Sequence, residues 1–419
     1  MTFKLPDTDL REWQVQALSA WSGKQRGIIA AATGTGKTLL AVHAVNRFWD
    51  ERSRVIVVVP KQVLQDQWVR MFRTTIGLGP QILGTIGGPN GSFDLRHRVV
   101  VAVIDSARVR LPGIVEHWRS LGERVMLVVD ECHWAGSVTS LSLLSTDFDA
   151  TLGLSATPER SDDGFDELLV PRLGEVVYRY PLRRALDDGL LAPLEVVNLY
   201  FDLEAAEQRE YARISDRISS LRARLMAGGM EDGPGWDARL AQSAAGDSDA
   251  YALRGLLQRR RRLTTSAAGR MQCLKFVVEN GYLDHRRTLI FNESIAQAEL
   301  VGTMLGKAGV SYELEHSQLT SVRRSAALRR FSTGSTPVLV AVRALDEGID
   351  VPDADQGIIV SGTFNSRQRI QRIGRVVRRS GSTARVLSFL ASGTAEQWEV
   401  GAADPQLLGP DRVSEVNLP

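Results

Sequence analysis

The sequence predicts an α/β fold with two parallel β-sheets and a helical insert between them. Short Val- and Ile-rich runs alternate with longer helical patterns in both halves of the 419-residue chain. Continuous β-branched runs are typical of parallel strands that helices cover on both faces. A glycine-rich stretch joins the first of these runs to a helical pattern, and the β pattern stops altogether in the middle of the chain.

Length and composition indicate a globular protein of two or three domains. The chain is 43% hydrophobic and 24% charged, and its net charge of +2 does not by itself identify a polyanion partner. No apolar run approaches the roughly 20 residues that span a bilayer, and residues 1–7 lack the apolar core of a signal peptide. Cys132 and Cys273 are too few for a disulfide framework or a zinc site. We therefore expect a cytoplasmic protein without membrane contact.

The glycine-rich stretch has the pattern of a phosphate-binding loop. Residues 31–38 read Ala-Ala-Thr-Gly-Thr-Gly-Lys-Thr, with Ala31 where the general pattern has its first glycine. Backbone N–H groups and a helix N-terminus favour an anion at such a turn. Lys37 is the predicted catalytic cation on the terminal phosphates, and Thr38 is the predicted Mg²⁺ ligand. The predicted phosphate-binding residues are Thr33, Gly34, Thr35, Gly36, Lys37 and Thr38.

A helix with one apolar face precedes this loop and begins near Leu10. It lies where the base of a bound nucleotide is expected. The side-chain amide of Gln14 both donates and accepts hydrogen bonds, so it suits the edge of a base. We predict that Arg11 and Gln14 contribute to nucleotide binding.

Four further strands are predicted in the first half, at residues 55–59, 99–103, 125–129 and 151–154. Asp130 and Glu131 follow the third of these, at the strand edge that faces the ligand crevice of a parallel sheet. Asp130 is a second predicted Mg²⁺ ligand, together with Thr38, and Glu131 is the predicted base for an attacking water. The hydroxyls of Ser155 and Thr157 are expected to contact the Asp130–His133 segment. Residues 1–198 form the first predicted domain.

Residues 199–270 are predicted to form a helical insert. Apolar residues recur at three-four spacing along its first helix, at Tyr211, Ile214, Ile218, Leu221 and Leu225. Glycines in 228–249 indicate a flexible tip. Arg259–Arg262 lie on the second helix. They are either a solvated or inter-domain charged surface or a contact to a nucleic-acid backbone. A second α/β domain is predicted at 271–405, followed by a tail at 406–419.

In order along the chain, these motifs resemble those of superfamily 2 helicases and translocases. Gln14 resembles the Q motif, residues 31–38 motif I, and Asp130-Glu131-Cys132-His133 a DEAD/DEAH-box motif II in the DECH spelling. Residues 345–352 resemble motif V and 368–379 motif VI. Residues 156–163 resemble the XPB-like branch, with Ser161 where that branch has Glu.

The resemblance implies two tandem RecA-like domains with ATP and Mg²⁺ in the cleft between them. It places Gly348 and Asp350 at the nucleotide ribose. Arg375 and Arg378 lie three residues apart on one face of a helix, and the resemblance makes them catalytic arginines that neutralise charge on the γ-phosphate.

The predicted function is that of an ATP-dependent helicase or translocase. DNA is the preferred substrate by resemblance alone, because no residue distinguishes a 2′-OH from a 2′-H. Three alternatives stay open: an RNA-dependent ATPase, a nucleotide-gated clamp, and the motor subunit of a restriction or defence complex. The insert is the candidate contact for protein partners, and the sequence does not predict an oligomeric state.

Overall fold

The computed structural model describes residues 9–88, 91–160, 162–233, 235–342, 354–361, 366–376 and 383–418. The chain forms two compact units, and the main division lies between Ala185 and Leu186. Gly348, Asp350 and Arg378, which the sequence predicts as site residues, lie outside the described residues. Within the described part of the chain, no helix is both long enough and apolar enough to cross a membrane.

The first unit is built on a parallel sheet of seven strands in the order β3-β4-β2-β5-β6-β1-β7. Its strands are β1 (Arg26–Ala31), β2 (Ser53–Val59), β3 (Leu83–Ile86), β4 (Val99–Val103), β5 (Arg124–Asp130), β6 (Ala150–Ser155) and β7 (Val176–Tyr180). Its helices are α1 (Glu12–Ser22), α2 (Lys37–Phe48), α3 (Gln62–Arg70), α4 (Ile104–Ser120), α5 (Leu141–Leu144), α6 (Val170–Leu173) and α7 (Leu182–Asp187), the last of which spans the division.

The five strands predicted from apolar runs are present in this sheet. They are buried along almost their whole length, as the covered faces of a parallel sheet require. The two strands that the sequence did not predict, β3 and β7, lie at the edges. β3 is only four residues long and β7 is only partly buried, so neither leaves a strong apolar run in the sequence.

The second unit contains another parallel sheet of seven strands, in the order β10-β11-β9-β12-β13-β8-β14. Its strands are β8 (Leu194–Phe201), β9 (Thr288–Asn292), β10 (Tyr312–Glu315), β11 (Val338–Val342), β12 (Gln356–Ile359), β13 (Ala384–Ala391) and β14 (Val413–Asn417). Its helices are α8 (Ala205–Ala227), α9 (Trp236–Ser243), α10 (Ser248–Thr265), α11 (Gly269–Glu279), α12 (Ile295–Lys307), α13 (Ser321–Ser332), α14 (Ser366–Val376) and α15 (Asp404–Leu408).

Strand β8 changes the predicted domain boundaries. It pairs with β13 along its whole length and with β14 on its other side. The predicted boundary at residue 198 therefore falls inside a strand of the second sheet. The insert leaves that sheet after β8 and returns to it before β9, so it is an insertion within the second unit and not a connector between units. Residues 406–419, predicted as a tail, contain β14 and complete the sheet.

The insert is a helical hairpin with a small core of its own. The five apolar positions predicted on α8 are all buried. Four of them pack with Leu240, Ala250 and Leu253, whereas Tyr211 packs into the core of the second sheet. α9 occupies part of the segment that was predicted as a flexible tip. The carboxylate of Asp247 caps α10 by accepting the backbone N–H groups of Asp249 and Ala250 at 2.7 and 3.2 Å.

We predict that Ile214→Ala loosens the insert locally. Ile214 is 1% exposed in the hairpin core, so the truncation costs about 2–5 kcal/mol of local stability. Hydrogen exchange should accelerate over 205–265 while both sheets keep their protection. The matched control is Arg217→Ala on the exposed side of the same helix, which should change stability by less than about 0.5 kcal/mol. Equal acceleration in both variants would contradict the hairpin core.

Candidate active site

The predicted phosphate loop lies between β1 and α2, as the sequence indicates. Gly34 and Gly36 have φ values of +82° and +98°, the left-handed region that favours glycine. A Cβ on Gly36 would lie 2.9 Å from the Gln14 Nε2 atom. The Lys37 ammonium is buried and donates to the carbonyl oxygens of Ala31 and Ala32 at 2.9 and 3.3 Å. The loop is thus curled around this cation.

The threonines of the loop have different environments. The Thr35 hydroxyl donates to the Ala32 carbonyl at 2.7 Å and so helps to shape the turn. The Thr33 hydroxyl is buried and has no hydrogen-bond partner among the residues that the structure describes. Thr38 is half-buried in the first turn of α2. Of the three hydroxyls, that of Thr35 therefore stabilises the loop through a hydrogen bond to the loop backbone.

Arg11 and Gln14 fasten the start of α1 to this loop. The Arg11 guanidinium donates to the Thr35 carbonyl at 2.7 Å, and the Gln14 Nε2 group donates to the Gly36 carbonyl at 3.0 Å. The Gln14 side-chain oxygen accepts the Arg11 backbone N–H at 2.9 Å. The sequence assigned these residues to the base of a nucleotide, whereas in the structure their polar groups hold the loop backbone. The Gln14 amide nitrogen carries two N–H groups, and the Gly36 contact uses one of them.

The carboxylates predicted for metal and water lie at the end of β5. Asp130 accepts the Glu131 backbone N–H at 3.0 Å on one oxygen and the Trp68 indole N–H at 2.8 Å on the other. Glu131 has a φ of +47°. A left-handed backbone costs a non-glycine residue of order 1–3 kcal/mol, and such strain is concentrated at functional sites. The bend turns the chain sharply away from the strand immediately after Asp130.

His133 connects this carboxylate segment to the end of β6. Its Nδ1 atom lies 3.1 Å from the Ser155 hydroxyl and 3.5 Å from the Glu131 Oε2 atom. The same hydroxyl oxygen accepts the backbone N–H of Thr157 at 3.1 Å. The contact predicted between Ser155 and the Asp130–His133 segment is therefore present, whereas the Thr157 hydroxyl has no hydrogen-bond partner among the described residues.

Sheet order explains why these groups are neighbours. β5, β6 and β1 are consecutive in the first sheet and run in parallel, so their carboxyl ends share an edge. Strands are spaced by about 4.8 Å, which puts the axes of β5 and β1 about 10 Å apart. That span suits a phosphate chain with a metal ion between the loop and Asp130.

Arg160 and Asp162 brace the same segment from outside the strands. The guanidinium pairs with the carboxylate through two contacts of 2.6 Å, and it also donates to the His133 carbonyl. These hydrogen bonds hold the pKa of Asp162 below its ordinary value. In the XPB-like pattern the two residues belong to the triplet after motif III, and here they fix the position of His133.

Sequence reasoning missed two tryptophans at this edge. Trp68 supplies the indole donor to Asp130, and Trp134 follows His133 with 42% of its surface exposed. The Lys61 ammonium lies 5.5 Å from the Trp134 ring centroid. The sequence signal for Trp134 was its position directly after D-E-C-H. The partner of Trp68 was not visible, because the two residues are far apart in the sequence.

In the second unit, only part of the predicted site falls within the described residues. Arg375 lies in α14, on which Arg369 and Arg372 are both 3% exposed. Arg369 pairs with Asp404 and donates to the Ser388 hydroxyl at 3.1 Å. These contacts anchor the helix to the second sheet.

The two parallel sheets match the fold of two tandem RecA-like helicase domains. The family "Type III restriction enzyme, res subunit" matches residues 7–160, and "Helicase conserved C-terminal domain" matches residues 270–380. The chain is a helicase enzyme that belongs to superfamily 2, and its relatives include proteins of the XPB-like branch.

Two curated relatives illustrate this relationship. The chain is 28% identical to "DNA 3'-5' translocase XPB2" of Sulfurisphaera tokodaii, over 93% of this chain and 83% of the relative. It is 25% identical to "Putative DNA 3'-5' helicase Rad25" of Haloarcula marismortui, over 93% of this chain and 53% of the relative. The chain thus spans most of the first relative and about half of the second.

Solved structures share the fold at low sequence identity. The Hef helicase domain of Pyrococcus furiosus superposes with a TM-score of 0.56 at 17% identity, covering 93% of this chain and 97% of that one. A fragment of a putative HsdR subunit of a type I restriction enzyme from Vibrio vulnificus gives a TM-score of 0.62 at 19% identity, covering 99% and 69%.

We predict that Gln14→Leu loosens the phosphate loop even without nucleotide. The variant removes the amide that donates to the Gly36 carbonyl, and a lost hydrogen bond of about 1 kcal/mol corresponds to ~5-fold faster amide exchange over 31–38. Hydrogen-exchange mass spectrometry measures it. Gln16→Leu, on the exposed side of α1, is the control and should leave the loop unchanged. Identical exchange in the two variants would refute the clamp.

Proposed function

We propose that this chain is an ATP- and Mg²⁺-dependent motor that acts on DNA. The observation that carries the proposal is the carboxyl edge of the first sheet, where a glycine-containing loop around Lys37 lies two strands from Asp130 and Glu131. That arrangement supports a triphosphate bound on the loop and a metal ion beside Asp130.

The residues present fit Mg²⁺. Asp130 and Thr38 offer oxygen atoms alone, which a hard cation prefers, and Mg²⁺ is usually bound by one or two carboxylates together with water and substrate phosphates. When bound, Mg²⁺ neutralises charge on the phosphate oxygens.

The chain's own groups supply the remaining steps. Lys37 compensates the charge of the terminal phosphates, and the buried Thr33 hydroxyl without a partner is an available donor on the loop. Glu131 orients the attacking water and accepts its proton. His133, held by Ser155 and by the Arg160 brace, keeps Glu131 in place. Resemblance to superfamily 2 helicases assigns Gly348 and Asp350 to the ribose and Arg375 and Arg378 to the γ-phosphate; of these four, only the backbone of Arg375 lies within the described residues.

DNA is preferred because the XPB2 and Rad25 relatives are both named as acting on DNA with 3'-5' polarity. The Lys61–Trp134 pair offers a strand contact on the first unit, where a cation meets the phosphate and an exposed aromatic ring meets a base. The similarity to a restriction-enzyme family over residues 7–160 favours a second candidate, the motor subunit of a restriction or defence complex.

We predict different defects for Lys37→Ala and Arg375→Ala. Both should abolish ATP hydrolysis. Lys37→Ala should also weaken nucleotide binding, because it removes a charge from the phosphate loop. Arg375→Ala should leave binding nearly intact, since its guanidinium acts on the transition state. Steady-state hydrolysis and fluorescent-nucleotide titration separate the two effects. Equal loss of binding in both variants would contradict a site divided between the domains.

We predict that DNA stimulates the ATPase more than RNA does. The assay compares single-stranded DNA, duplex DNA and RNA of equal length at one ionic strength, because electrostatic binding depends on salt. Strand displacement and removal of a protein roadblock measure movement. Preferential stimulation by RNA would favour an RNA-dependent ATPase, and stimulation without strand displacement or roadblock removal would favour a nucleotide-gated clamp. Stable partners on purification would support the restriction-type motor.

A further inference from the structure

The four adjacent arginines of α10 have different environments. Arg259 pairs with Glu210 of α8 at 2.6 Å, and the Arg260 guanidinium lies 5.6 Å from the Tyr211 ring centroid. Both therefore bind α10 to α8 within the hairpin. Arg262 is exposed and has no ion-pair partner among the residues that the structure describes.

Arg261 reaches out of the hairpin. Its Nη2 atom lies 3.5 Å from the Oε2 atom of Glu293, which directly follows β9. The other oxygen of the same carboxylate lies 3.6 Å from the Nη2 atom of Arg372 on α14. Glu293 is 12% exposed and Arg372 is 3% exposed. One largely buried carboxylate thus joins an arginine of the insert to an arginine of the motif VI helix.

A hydrogen-bonded path runs beside this bridge. Gln297 donates to the Thr265 carbonyl at the end of α10 at 2.8 Å, and its side-chain oxygen accepts the Ser361 hydroxyl. The Ser361 carbonyl accepts the Arg372 guanidinium at 3.3 Å. The end of α10 and the middle of α14 are therefore connected by a charge bridge and by a chain of hydrogen bonds.

Arg270 fixes the base of the insert to the same sheet edge. It is 1% exposed, pairs with Glu396 and donates to the Thr264 carbonyl at 2.7 Å. It also donates to the carbonyls of Val360 and Phe389 at 2.5 and 2.8 Å. The Arg270 side chain thus joins the end of α10 to Val360, which follows β12, and to Phe389 in β13. Ser361, whose carbonyl accepts the Arg372 guanidinium, comes directly after Val360.

We infer that Glu293 is a positioning residue that couples the helical insert to motif VI. A DNA strand that contacts the exposed side of α10 displaces the helix, and the Arg261–Glu293–Arg372 bridge transmits the displacement to α14. Arg375 lies about one turn beyond Arg372. The inference rests on the proposed function, because it requires hydrolysis that DNA stimulates and that Arg375 catalyses. It assigns Arg261 to coupling and Arg262 to strand binding.

Arg261→Gln and Arg262→Gln form a matched pair, since the residues are adjacent, exposed and of equal charge. Basal and DNA-stimulated hydrolysis are measured over a DNA titration, with DNA affinity measured separately. Arg261→Gln should lower the maximal stimulation about two- to thirty-fold, the usual range for coupling residues, and leave basal hydrolysis and DNA affinity unchanged. Arg262→Gln should raise the DNA concentration for half-maximal stimulation and retain the maximum. Arg261→Lys keeps the charge and should restore most of the stimulation.

Glu293→Gln removes the carboxylate at the centre of the bridge. Its melting temperature is compared with that of Arg261→Gln, because the loss of the acid leaves the buried Arg372 cation without this partner. If Arg261→Gln changes only the DNA concentration for half-maximal stimulation, as Arg262→Gln is expected to do, the coupling inference is overturned and the proposed function stands. If DNA does not stimulate the unmodified chain, both fail.

Discussion

Parallel strand pairing is the constraint on which this structure depends. Parallel strands cannot be joined by tight turns, so each needs a crossover that returns the chain to the start of the sheet. Every strand then ends at the same edge. In the first unit, the shared edge brings together the phosphate loop, Asp130 and Ser155, which follow or end three adjacent strands. In the second unit it collects Glu293 after β9 and Ser361 beyond β12, on adjacent strands, where they meet Arg372.

Buried arginines set the position of the elements that the sheet does not fix. Arg369 and Arg270 are each almost fully buried, and each is paired with a carboxylate and with further acceptors. Removing one partner would leave an uncompensated charge in the interior, so such pairs allow few alternative packings. Arg369 holds the motif VI helix against the sheet, and Arg270 holds the base of the insert. The insert and α14 are therefore fixed to the same sheet by independent charged anchors.

Local patterns predicted the local structure, whereas pairing between distant residues was not predictable. The long Val- and Ile-rich runs, the phosphate loop and the buried face of α8 each depend on neighbouring residues, and all are present. The placement of β8 between β13 and β14 depends on partners about 200 residues away, and an apolar run carries no information on its partner. The contact of Gln14 with the loop backbone was not predicted, for a related reason. Its amide suits a base edge and a carbonyl equally well, and only the fold shows that the Gly36 carbonyl is within reach.

Several buried polar atoms near the carboxyl ends of the strands have no hydrogen-bond partner among the described residues. Within the described part of the chain, the hydroxyls of Thr33 and Thr157, both polar atoms of the Asn292 amide and the Nδ1 atom of His316 are buried without hydrogen-bond partners. Thr33, Thr157 and His316 lie within two residues of a strand's carboxyl end, and Asn292 is the last residue of β9. A buried polar group without a partner costs about 1–3 kcal/mol, and one other such atom, the Oε1 atom of Gln356, lies at the opposite end of its strand, because Gln356 is the first residue of β12. Together with the left-handed backbone at Glu131, they place an energetic cost at the edge of each sheet. A ligand that hydrogen-bonds with these groups recovers that cost, so binding at the edge and local stability are linked in each unit.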